Sequence, residues 1–122
     1  CGWPTQNAEI TEVDLVGHAW FFKREWLRYL WQEKPTTWDN GEDIQFAFMS
    51  KIYGGVKTYC PPHPPDNKEM HGSILGNELG IDSKATSNNQ DTSHEQFFSE
   101  RDVCVRAGLV RGWDTVREVK LS

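Results

Sequence analysis

The spacing of apolar residues changes period several times along this chain, and each change marks an element. Residues 10–16 alternate roughly, with Val13 and Leu15 on one face, which predicts a strand ending at Gly17. From about residue 22 to residue 33 the spacing becomes helical. Phe22, Trp26 and Leu30 lie four apart, and Leu27 and Trp31 widen the stripe. Pro35 stops that helix because it has no amide hydrogen to continue the ladder. Asp39-Asn40-Gly41 then reads as a turn. A second helix is expected over about 42–53. Ile44, Ala47, Phe48 and Ile52 form one apolar face, and Phe46, Met49 and Tyr53 form another. A helix apolar on two faces is largely buried. Gly54-Gly55 ends it, and residues 56–60 read as a short strand.

Beyond that point the pattern breaks. Residues 1–9 lack periodicity and read as a lead-in loop, but residues 61 to about 92 are a much longer departure. Pro61, Pro62, Pro64 and Pro65 open a stretch rich in Asn, Asp, Ser and Gly, with few apolar anchors. So long a segment without structure is a functional loop or a disordered one, and residues 66–92 within it are expected to be the most mobile part of the chain. Ser93-His94-Glu95-Gln96 is a capping-box pattern that starts a helix through Phe97, Phe98, Val103 and Val105, with Gly108 expected to close it. Residues 115–121 predict a last strand. The expected fold class is α/β, one domain over residues 1–122: a partial mixed sheet, two or three flanking helices and a long polar loop.

Composition narrows the function. The chain has 122 residues, and a domain of this size buries roughly two thirds of its unfolded surface. Six Trp, six Phe and three Tyr exclude a disordered polymer, although the mean hydropathy is low. A net charge of −5 argues against a nucleic-acid or anionic-membrane partner. No apolar run is long enough to span a membrane, and nothing resembles a signal peptide. Cys1, Cys60 and Cys104 are odd in number, far apart and without a CxxC pair. They read as reduced thiols of a cytoplasmic protein, with Cys60 and Cys104 acting as small hydrophobes.

The sharpest chemical feature is Asn40-Gly41-Glu42-Asp43 opening the buried helix. Two acids in a first turn suit the helix dipole, and Asn40 with Asp43 resembles a capping box, so a structural role accounts for them. A functional role also fits: a glycine before the acids exposes backbone to a ligand, and the apolar helix anchors the carboxylates. A carboxylate kept ionised in this way accepts a proton from a sugar hydroxyl.

These residues belong to a longer series: Val13-Asp14-Leu15-Val16-Gly17, His18-Ala19-Trp20-Phe21-Phe22-Lys23-Arg24, Gly41-Glu42-Asp43 and Gly54-Gly55-Val56. In order and spacing the series resembles the second half of GT-A glycosyltransferases, over about residues 10–65. The resemblance implies a sugar transferred from a nucleotide-diphosphate-sugar donor to a glycan or other hydroxyl acceptor. It implies Asp43 as catalytic base and Glu42 as the acid that positions hydroxyls. Gly17 would lie in the loop that approaches the donor sugar. His63, among prolines that would hold it rigid, would ligate Mn²⁺ or Mg²⁺, with His71 and His94 as looser alternatives. The bland reading of His63 is a surface loop histidine. His18 would contact donor or acceptor, or be a bystander. Trp20 and Trp38 would offer faces to sugar C–H groups, or simply pack. Lys23, Arg24 and Arg28 would line a solvated helix face, or reach a diphosphate.

GT-A enzymes carry their nucleotide on an N-terminal half and hold metal with an Asp-x-Asp motif, and neither occurs in these 122 residues. The expectation is a fragment, inactive alone, whose uncovered apolar face would favour a homo-oligomer. The alternative function is a non-catalytic carbohydrate-binding or interaction domain with tryptophans as its platform. A hydrolase using Glu42 and Asp43 as a pair fits poorly, because adjacent helical residues point about 100° apart.

Overall fold

A computed structural model describes residues 7–17, 19–62, 64, 66–67 and 93–119. The elements in chain order are strand β1 (Thr11–Val13), a 3-10 helix (Arg24–Trp31), helix α1 (Glu42–Gly54), strand β2 (Thr58–Cys60) and helix α2 (His94–Val110). Among the described residues the fold is thus a small α/β arrangement of three helices and a two-stranded sheet. That sheet is antiparallel, with Thr11 opposite Cys60, Glu12 opposite Tyr59 and Val13 opposite Thr58. The expected mixed sheet is corrected accordingly, because among the described residues no third strand flanks the pair. Residues 115–119 form no strand either. Asp14 instead accepts the Val116 and Arg117 amide hydrogens through its carboxylate, so this tail is held by a side chain where a ladder was expected.

Helix α1 is the centre of the core, as its two apolar faces require. Ile44, Phe48 and Met49 have no exposed surface, and Ala47 is nearly as deep. Ile52 is only half-buried and packs against these side chains from the side. From α2 come Cys104 and Val105, and Trp113 follows that helix to close the cluster. Gly55 ends α1 as expected, its N–H bonded to the Lys51 carbonyl at 3.0 Å, while the Val56 N–H returns to Ser50 at 3.1 Å.

Gly108 does not end its helix. It lies inside α2, where a Cβ would come within 2.8 Å of the Phe48 ring and 3.0 Å of the Trp113 indole. Close approach of the two helices, not chain termination, is the reason for glycine there. The turn falls at Gly112 (φ 90°), which swings Trp113 back so that its N–H reaches the Gly108 carbonyl at 2.9 Å. At the other end Ser93 caps α2 through the Gln96 N–H at 3.1 Å. Only half of the capping box forms there, because the Gln96 side chain turns forward to Glu100.

The segment expected as a helix over 22–33 is shorter and more tightly wound. Trp26, Tyr29 and Leu30 are its half-buried positions, and Leu27 and Trp31 are exposed. Trp26 and Tyr29 lie three apart, a spacing that three residues per turn places on one face. Phe22 precedes the helix and meets Phe46 edge-on at 4.9 Å. Lys23, Arg24 and Arg28 are exposed, Lys23 lying over Trp26 and Arg28 over Tyr29. Among the described residues, no helix is long and apolar enough to cross a membrane.

Candidate functional site

The start of α1 is bolted to α2 by polar groups that the apolar core shields. Gly41 precedes the helix in a left-handed conformation (φ 86°) that side-chain-bearing residues rarely adopt. A Cβ on it would also come within 2.5 Å of Cys104 Sγ, so α2 touches the turn directly. Asn40 and Asp43 do not form the expected capping box. The Asn40 Nδ2 donates instead to the Phe97 carbonyl at 3.0 Å, across to α2. Asp43 is 6% exposed, and both of its oxygens are gripped by Arg101: Nη1 to Oδ1 at 3.1 Å and Nη2 to Oδ2 at 2.8 Å. Arg101 Nη1 also reaches Asn40 Oδ1 at 3.3 Å, and its guanidinium lies 5.7 Å from the Phe97 ring. The planar fork of arginine suits this bidentate geometry, and the α1 N-terminus adds a favourable dipole for the carboxylate. Next to this cluster, burial pushes the Cys104 thiol above its ordinary pKa, against the pull of Arg101.

Gly17 and Asp43 are neighbours in space, as the strand-loop-helix order implied. A Cβ on Gly17 would lie 3.7 Å from Asp43 Oδ2, ordinary contact distance. Trp20 belongs to the same corner: its indole N–H donates to the Gly17 carbonyl at 3.2 Å, and its ring packs on Phe46 at 5.8 Å. The Asp43 carboxylate does not face an open cleft, because Arg101 covers it. Glu42, one residue earlier, is exposed. It faces a different feature, a groove of about 200 Å³ between the end of the 3-10 helix and the start of α1. Trp31 and Trp38 line that groove as a stacked pair, with centroids 6.1 Å apart and planes 27° from parallel. Trp38 and Glu42 therefore share one surface, whereas Gly17, Trp20 and Asp43 share another.

His18, His63 and His71 lie outside the described residues, as does most of the polar segment that follows β2. His94 is exposed at the first position of α2. Among the described residues no group of three or more His, Cys, Asp or Glu side chains is placed to hold a metal ion. With both Asp43 oxygens committed to Arg101, the described residues do not by themselves make a metal site.

Three participants were not anticipated: Arg101, Gln45 and Trp31. Arg101 left a readable trace. Phe97, Arg101, Cys104 and Gly108 recur at helical spacing along the inward face of α2, and a cation on such a stripe requires a buried acid opposite it. Gln45, flanked by Ile44 and Phe46, gives no comparable signal. No family model, no curated protein and no solved structure matches this chain.

Proposed function

We propose that this chain is the acceptor-side portion of a GT-A-type glycosyltransferase, acting on a nucleotide-diphosphate-sugar donor and a hydroxyl acceptor. The observation that carries the proposal is the closeness of Gly17 to Asp43, near enough that a Cβ on the glycine would touch the carboxylate. In such an enzyme the glycine loop after the core strand and the acid heading the next helix must meet, so that donor carbon and base flank one reacting hydroxyl. Two segments separated by a 3-10 helix in sequence meet in this way here. Asp43 is the proposed base, and Glu42 the residue that positions substrate hydroxyls. Gly17, His18, Trp20 and Trp38 are the proposed substrate contacts, Trp38 from the groove surface that it shares with Glu42. The divalent cation belongs to the same proposal, with His63 as the ligand this chain would contribute.

For Asp43 to take a proton, one of its oxygens has to come free of Arg101. Binding of donor and acceptor beside Gly17 would compete for that oxygen. The ion pair then holds the carboxylate in place until substrate arrives.

The test uses the enzyme with its nucleotide-binding half present and reads release of nucleoside diphosphate from a panel of nucleotide sugars. Asp43→Asn keeps the shape but removes the basic oxygen, and turnover is expected to fall at least ~10²-fold with donor binding little changed. Because that variant also weakens the Arg101 pair, Gly17→Ala provides a second arm. Its methyl meets only ordinary contacts, so the thermal midpoint should hold while turnover falls roughly tenfold by obstruction. Full activity in both variants would overturn the proposal and leave Asp43 a structural residue.

A further inference from the structure

The groove that Glu42 and Trp38 share is a surface apart from the Gly17–Asp43 corner, and its lining argues for a ligand on grounds of its own. Trp31 and Trp38 are 62% and 70% exposed, a large apolar surface to leave in water. At the base of the same groove Gln45 is only 3% exposed, yet neither its Nε2 nor its Oε1 has a hydrogen-bond partner among the described residues. Buried amides are nearly always paired, and each unmade bond costs about 1–3 kcal/mol. An aromatic wall above an unsatisfied donor and acceptor is the lining of a binding site, not of a packing defect.

Charge and size restrict the ligand. Asp39 and Glu42 also line the groove, and no Lys or Arg among the described residues does, so phosphate- or carboxylate-bearing ligands are disfavoured. A cation suits the acids but not the Gln45 Nε2, which needs an acceptor. Hydroxyl groups satisfy both ends of the amide and donate to Glu42. A volume of about 200 Å³ is below the ~300–1,000 Å³ of drug-sized pockets and admits a single ring. We propose that this groove binds one neutral pyranose ring, laid against the Trp31–Trp38 pair with its hydroxyls on Gln45 and Glu42.

The test titrates the 122-residue chain with neutral methyl pyranosides of gluco, galacto, manno and N-acetylglucosamine configuration, without any donor. The indole N–H signals of Trp31 and Trp38 and the side-chain amide of Gln45 are followed by NMR. At least one glycoside is expected to shift all three saturably. Trp38→Ala should weaken that binding about tenfold or more without moving the thermal midpoint, because Trp38 is exposed. Gln45→Leu removes an unsatisfied amide, so it should preserve or raise stability while abolishing binding. The proposal fails if no glycoside shifts these signals, if inorganic phosphate shifts them equally, or if Trp38→Ala binds like the parent. Loss of stability in Gln45→Leu would also count against it, by showing that the amide serves the fold. Failure here leaves the Asp43 proposal standing, and inactivity of the enzyme leaves glycoside binding untouched.

Discussion

Arg101, two turns into α2, holds both carboxylate oxygens of Asp43 at the first turn of α1, 58 residues away in sequence. The Asp43 side chain is 5% exposed and that of Arg101 20%, so the pair is shielded on the acid's side and open on the cation's. Removing the cation leaves a buried charge without a partner. Arg101→Ala is expected to cost about 3 kcal/mol, the low end for breaking a buried pair, since water reaches part of the site. Arg101→Lys should fall between the two, because an ammonium cannot make both bonds at once. Urea unfolding of the three proteins measures this, and equal midpoints would show that the pair contributes nothing.

Gly41 should tolerate no side chain. Its φ of 86° costs an L-residue about 1–2 kcal/mol, and the added Cβ would meet Cys104 Sγ at 2.5 Å. Gly41→Ala is expected to lose more than the backbone term alone. Cys104→Ala in the same chain removes the colliding sulfur and should recover part of the loss. Additive losses in the double variant would show that the two positions do not press on each other.

Cys104 should resist thiol reagents in the folded protein. It is 2% exposed, and burial raises its pKa, so less thiolate forms at neutral or mildly alkaline pH than at an ordinary cysteine. Labelling with a disulfide reagent, mapped by mass spectrometry, is expected to modify Cys104 only under unfolding conditions. Labelling at the rate of a short peptide would contradict the burial.

The Glu33–Arg111–Tyr53 cluster predicts a pH dependence with two edges. Arg111 Nε bonds Glu33 Oε1 at 2.7 Å, and the Tyr53 hydroxyl bonds Oε2 at 2.9 Å. The Arg111 bond, then the Tyr53 bond, lower the Glu33 pKa, and the same carboxylate raises that of Tyr53. A lowered acid contributes fully above its ordinary pKa and loses that contribution as pH falls through the folded value. A raised phenol contributes below its ordinary pKa and loses that contribution as pH rises through its folded value. Glu33→Gln should therefore flatten the stability profile at its acid edge and at its alkaline edge. An unchanged profile would mean that the cluster is solvated and silent.

Much of the frame was legible because period and punctuation agree. Two apolar faces announced the burial of α1, Gly55 its end and Ser93 the start of α2. What failed had tertiary causes. Gly108 resembles a helix stop in sequence, yet the space it vacates is filled by Phe48 and Trp113 from elsewhere in the chain. The stripe through Trp26 and Leu30 predicted an α-helix, but packing selects Trp26 with Tyr29 and a tighter winding. At the site, local sequence places Glu42 and Asp43 side by side and makes them look alike. Only the arrival of α2 separates them, sending Asp43 inward to Arg101 and leaving Glu42 on the groove.

The tie from Asp14 to the Val116 amide spans 102 residues, and the Asp43–Arg101 clasp spans 58. Both become possible only after α2 and the turn beyond it have been made. Once α1 has left the ribosome and until α2 follows it, Ile44 and Phe48 lack Cys104, Val105 and Trp113 to cover them. At about 5–20 residues per second that interval lasts seconds, long enough for exposed strands and aromatic faces to find other chains. The nascent protein is thus most vulnerable between the emergence of α1 and that of α2, and slowing translation within that interval should lower its soluble yield.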